Sequence, residues 1–183
     1  LYGFHLQIVD RVALRGEYEL KLLISLRFPK DVPTVFEIGE KIPRTPDYHV
    51  NSDGSLCLGS DIRLKQILRD EPQLDGFARQ ILDSYLYAVT HMIRLGTFPY
   101  ELSHGGQGLI EDYECVFNVK GERAVRLVLM ALGTRKREAN KLPCPCGCKA
   151  LLGRCNFRHT LAPWRGLDRR SWFRKHVEQL NHL

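Results

Sequence analysis

The 183-residue chain has no apolar run approaching the ~18 residues that a membrane-spanning helix needs. A secretory signal is missing as well, so neither a span nor an exported protein is expected. Internal repeats and low-complexity tracts are also absent, which leaves one domain plus an appendage as the simplest organisation for this length. The first residue is Leu1 rather than Met, and the natural chain is expected to start earlier. Six cysteines in an otherwise ordinary composition (44% hydrophobic, 26% charged) suit a reducing compartment. Such thiols serve chemistry or metal binding rather than a disulfide framework, and a cytoplasmic location follows.

What is present is unevenly charged. Residues 1–133 carry 15 Lys+Arg against 18 Asp+Glu, and residues 134–183 carry 12 against 3. The overall +6 therefore divides into −3 and +9. The change falls at Gly133-Thr134-Arg135-Lys136-Arg137, so residues 1–133 read as the main domain and 134–183 as a basic, Cys-rich tail.

Apolar and polar residues alternate from Phe4 to Leu14 and again from Glu17 to Leu26, which predicts two strands joined by a turn at Arg15-Gly16. Pro29 and Pro33 break the ladder, and Thr34 to Ile38 reads as a third strand. Three strands with hairpin-length links predict an antiparallel meander. Helices follow: a turn at Leu64–Leu68, a long helix from Leu74 to Leu95 with Asp75 as N-cap and Gly96 as its end, then Leu109–Phe117 and Glu122–Leu132. Strands first and helices after give an α+β class. Cys115, inside an apolar helical pattern, is most simply a small core residue.

Between the strands and helices lies a long aperiodic segment, 40–58, of a length that in compact domains usually carries function. It ends in His49-Val50-Asn51-Ser52-Asp53-Gly54-Ser55-Leu56-Cys57-Leu58. Asn51, Ser52, Asp53 and Gly54 favour a tight turn. That turn presents Cys57 at the end of a loop, with Leu56 and Leu58 as anchors. Cys57 is then either a presented nucleophile or a buried structural thiol. Further on, His104 beside Gly105-Gly106 is a candidate base on a connecting loop.

Four cysteines and a histidine fall within sixteen residues of the tail: Cys144, Cys146, Cys148, Cys155 and His159. That set suffices for a tetrahedral zinc site of thiolates with or without an imidazole. Around it lie Arg154, Arg158, Arg165, Arg169, Arg170, Arg174 and Lys175, with Trp164, Trp172 and Phe173 between them. Residues 169–180 read as a terminal amphipathic helix. This face suits an acidic partner protein somewhat better than nucleic acid.

Gly16-Glu17-Tyr18, Phe28-Pro29, Val32-Pro33 and Gly54-Ser55-Leu56-Cys57-Leu58 follow one another in an order and at spacings that resemble the ubiquitin-conjugating (UBC-like) enzyme fold. The resemblance covers roughly residues 3–95. It implies a meander sheet, a long loop to the active cysteine, and a cysteine acyltransferase that forms a thioester on Cys57 and passes it to a lysine amine. The family's usual His-Pro-Asn is here His49-Val50-Asn51, and it is His49 that stands eight residues before Cys57. Either His49 takes the oxyanion-stabilising role, or a shortened loop lets Asn51 reach it. The family's long N-terminal helix has no counterpart in these residues, so the usual hand-off from an activating enzyme is not implied. Within the family the pattern is most similar to the stand-alone conjugating proteins of short type II CBASS anti-phage operons. That likeness implies a protein acyl donor such as a cGAS-like nucleotidyltransferase. The tail is similar to the small zinc motif at the ends of SecA-like bacterial proteins, which implies Cys144, Cys146, Cys155 and His159 as zinc ligands with Cys148 as competitor. The alternative from another class is a non-catalytic UBC-like scaffold with a zinc tail that binds protein or nucleic acid.

Overall fold

The computed structural model describes residues 2–9, 12–99 and 105–181, with side chains described from residue 15 onward. The chain is α+β and divides into two compact units, Leu1–Glu101 and Leu102–Leu183. The charge boundary at 133/134 is therefore not the boundary of packing. The helices on either side of it belong to the same unit.

In the first unit, β1 (Tyr2–Val9), β2 (Val12–Leu23) and β3 (Thr34–Glu37) form an antiparallel sheet in that order. The meander is as expected, but the first hairpin is displaced. Val9 pairs with Val12 and His5 with Gly16, so Arg15-Gly16 lies inside β2 and not at its turn. Gly16 is there for space: a Cβ would lie 2.6 Å from Thr90 Oγ1 and from the Tyr18 ring. β2 also stops at Leu23, three residues early. Past it, Ser25 and Arg27 both bond Asp31, at 2.8 and 2.9 Å, and this turn ends the ladder.

The helical part begins with α1 (Asp61–Asp70), longer than the single turn expected and capped by Ser60 Oγ, which accepts from Arg63 N at 3.3 Å. Residues 74–95 form one rod: α2 (Leu74–Phe77), a π-helical stretch Ala78–Leu82, and α3 (Asp83–Leu95). Its N-cap is Gln73, not Asp75, whose carboxylate instead takes Arg79 at 3.0 Å. Gly96 closes the rod in the left-handed region, φ 75°, as glycine does without strain. The rod buries Phe77, Ile81, Tyr85 and Val89 against Tyr18, Leu20, Val35 and Leu68. Tyr18 reaches across to Thr90 with a 2.9 Å hydroxyl bond, and Thr90 donates onward to Leu86 O.

The second unit contains α4 (Gly105–Phe117), α5 (Glu122–Gly133), α6 (Lys136–Ala139), α7 (Phe157–Thr160) and α8 (Arg170–Asn181). Gly105 and Gly106 open α4 and do not lie in a loop, and His104 lies outside the described residues. α4 turns Tyr113 and Phe117 inward, which leaves Cys115 exposed, contrary to the core position expected of it. Val125, Leu129 and Leu132 of α5 are buried in the same unit as Phe173 and Leu180 of α8.

The early end of β2 separates two leucines that the alternation alone would treat alike. Leu20 is 8% exposed and Leu26 is 106% exposed. Leu20→Ala is expected to cost roughly 2–5 kcal/mol in urea unfolding, and Leu26→Ala no more than about 0.5 kcal/mol.

Candidate functional site

The loop that carries Cys57 is tied down at each of its bends. At its start the buried Glu37 carboxylate accepts backbone N–H groups from Gly39 (2.9 Å), Lys41 (3.2 Å) and Ile42 (3.5 Å), and Ile42 enters the core. A single 3₁₀ turn, Pro46–Tyr48, follows. His49 then reverses the chain with φ 53°, a conformation in which His is several-fold enriched among non-glycine residues.

Beyond His49 the chain folds back on itself. Val50 and Leu56 pair as an antiparallel bridge, and Cys57 N donates to His49 O at 2.7 Å. On the other side, Leu56 N donates to Val35 O at 2.8 Å, and Ser55 bridges Phe36. Inside the reversal, Asn51 N donates to Ser55 O (2.8 Å), Asn51 Nδ2 to Ser55 Oγ (3.0 Å), and Ser55 Oγ to Asp53 Oδ1 (2.6 Å). The Ser55 hydrogen bonds hold the Asp53 carboxyl below its usual range. Asp53 is thus a turn-closing acid. Leu56 is buried, Cys57 is exposed, and Leu58 packs against the core. The two leucines anchor the thiol as expected.

Of the two oxyanion candidates, the register sets His49 directly across from Cys57. The His49 ring meets the edge of Phe98 at 5.1 Å between centroids. The Asn51 amide is engaged with Ser55 within the turn. Among the described residues no side chain hydrogen-bonds the Cys57 sulfur, and a base paired to it is not seen there.

Sequence reasoning missed Tyr85, which reads simply as part of the helix's apolar stripe. Its hydroxyl donates to Tyr48 O at 2.9 Å, one residue before His49. Burial pushes its phenol above the ordinary range, and a negative Cys57 would push it the same way, so Tyr85 remains a protonated donor beside the cysteine. Tyr48 and Tyr85 are 37 residues apart, and nothing local in the sequence joins them.

The tail gathers a second group. The sulfurs of Cys144, Cys146, Cys148 and Cys155 all lie within 4.8 Å of one another. Four sulfurs at ~2.3 Å from one zinc would be ~3.8 Å apart along each tetrahedral edge. Cys144 to Cys146 is 3.2 Å and Cys146 to Cys155 is 3.7 Å, so the donor set fits a thiolate-bound metal. The backbone shapes this knuckle: Cys144 N donates to Ala150 O (2.9 Å), Cys155 N to Leu152 O (3.1 Å), and Gly147 turns at φ 80°. Phe157 N donates to Cys155 Sγ at 3.5 Å. A hydrogen bond from Cys144 lowers the Cys146 thiol to about 7, while burial raises Cys144. His159 is not in the group, and Cys148 takes the place expected of it. The His159 Nε2 instead accepts from Arg158 Nε at 3.1 Å.

No protein-family model matches the chain, and no curated protein or solved structure does.

Metal content separates the two candidate fourth ligands. By native mass spectrometry, His159→Ala is expected to keep the metal of the wild-type protein. Cys148→Ser is expected to lose it at a chelator concentration at least about tenfold lower, since a thiolate ligand is removed.

Proposed function

We propose that the protein is a UBC-like cysteine acyltransferase whose second unit carries a structural zinc ion on Cys144, Cys146, Cys148 and Cys155. One observation carries the reading: an exposed Cys57, next to two anchoring leucines, is held across from His49 by a 2.7 Å backbone bond. The meander of β1, β2 and β3, the pairing of Ser55 and Leu56 alongside β3, and the helix that follows Cys57 support the family likeness. A zinc ion held there by Cys144, Cys146, Cys148 and Cys155 would supply folding energy to a stretch with few apolar side chains.

In this reading the Cys57 thiolate attacks the activated C-terminal carbonyl of a partner protein, and the activating group leaves. The thioester keeps that carbonyl reactive. A lysine amine then adds to it, the oxyanion of the tetrahedral intermediate is stabilised by an N–H of His49, and the C–S bond breaks to release the thiolate and an isopeptide. Tyr85 holds the Tyr48 carbonyl, and with it the approach to His49. A hydrolytic Cys–His pair is less well supported, because no imidazole bonds the Cys57 sulfur among the described residues. By the likeness to anti-phage conjugating proteins, the acyl donor is a cGAS-like nucleotidyltransferase and the setting is bacterial defence.

The test supplies a candidate donor protein whose C-terminal carboxyl is already activated as a small-molecule thioester, and reads the product by intact mass. A reductant-labile adduct in the wild type and none in Cys57→Ala is expected. His49→Ala should still load but discharge to an amine about a hundred-fold more slowly. If the donor binds and no adduct forms under any condition, the non-catalytic scaffold stands instead.

A further inference from the structure

The C-terminal end of α5 gathers more positive charge than its own chemistry requires. Arg165 donates to Ala131 O (2.9 Å) and Thr134 O (3.2 Å), and Arg174 donates to Gly133 O (2.9 Å). These two guanidinium groups satisfy the carbonyls that a helix end leaves open and complement its partial negative charge. Two cations would suffice, yet Arg135, Lys136 and Arg137 leave the same helix end exposed. Arg170 is adjacent too, with its carbonyl 3.6 Å from where a Cβ on Gly133 would stand. The crowding has a cost. The Arg165 guanidinium is pushed below its ordinary pKa, first by burial and then by the like charge of Arg170.

Among the described residues none of these six cations is in an ion pair. Glu138 is engaged with Lys141 at 3.1 Å, and Asp168 accepts the Arg169 backbone N–H at 2.6 Å. Arg165 and Arg174 use only three of their ten N–H donors on the helix end, so donors remain for an anion.

The kind of anion follows from what accompanies the charge. A protein partner is held mainly by buried aromatic or aliphatic anchors. Here the only large apolar side chains exposed in the described part of this unit are Met130 and Leu151. The two tryptophans among the cations are half-buried and make internal ring contacts: Trp164 meets Phe117 at 5.0 Å, and Trp172 meets Phe173 at 5.0 Å and His176 at 4.3 Å. The surface offers guanidinium groups with few apolar anchors beside them.

We propose that this face binds the phosphate backbone of nucleic-acid duplexes without reading their sequence. This proposal differs from the order expected from the sequence, in which an acidic protein ranked ahead of nucleic acid.

The experiment is fluorescence anisotropy of the full chain with DNA and RNA duplexes of about 20 base pairs, in two unrelated sequences, across about 50–200 mM salt. Binding is expected to be the same for both sequences, with a log–log salt slope of about −4 to −5 for some five phosphate contacts. Arg135→Gln/Arg137→Gln/Arg170→Gln removes exposed charges that cap nothing and should flatten the slope by about 3. Lys21→Gln/Lys30→Gln/Arg44→Gln removes as much charge from the first unit and should leave the slope unchanged. Absence of duplex binding at low salt would overturn the proposal, as would equal effects of the two triple variants. Competition by poly-glutamate as strong as that of the duplex would assign the face to an acidic protein.

Discussion

One backbone hydrogen bond organises the first unit's loop: Leu56 N to Val35 O, 2.8 Å, at the edge of the sheet. It fixes which residue after the turn lies inward. Because side chains alternate along an extended segment, a slip of one residue would bury Cys57 and expose Leu56. Burying Leu56 stabilises the correct register by about 1.5–3 kcal/mol. The Asn51–Ser55–Asp53 bonds close the turn in that register, and the Cys57–His49 bond follows from it. Tyr85 and Glu37 hold the approach from below, each through a backbone group of the loop. The proposed chemistry therefore depends on a short piece of sheet and on a rigid helix, and the cysteine itself contributes little to the fold.

The second unit uses a different means to the same end. Its knuckle at 143–155 has few apolar side chains to bury, and four thiols close together take the place of a core. Such a cluster could hold a metal ion, whose charge would offset the mutual repulsion of four thiolates. The neighbouring helix end shows the same economy. Arg165 and Arg174 cross from distant positions in the chain to cap α5, and the charge left over forms a surface with few apolar anchors.

The α+β class, the meander, the 74–95 rod and the leucines flanking Cys57 were legible because each rests on local periodicity or turn chemistry. Other features were not, for identifiable reasons. The first hairpin was misplaced because Arg15-Gly16 has turn composition, whereas Gly16 is required by close packing on Thr90 and Tyr18. The unit boundary was misplaced because charge, which changes at Thr134, does not report packing. Cys148 and His159 exchange roles because sequence spacing cannot say which donor a tight backbone turn brings inward. Tyr85 was hidden because its partner lies 37 residues away and its neighbours are apolar.

The register at Cys57 is the claim on which the account stands, and amide hydrogen exchange measures it without any substrate. Cys57 is exposed, so its N–H would exchange at the rate of an open loop unless it is bonded to His49. The account predicts that the Leu56 and Cys57 amides are both protected, at least about a hundred-fold, while the amide of Ser52 at the tip is not. Protection of Leu56 with free exchange at Cys57 would show that His49 and Cys57 are not held opposite each other, and would contradict the account.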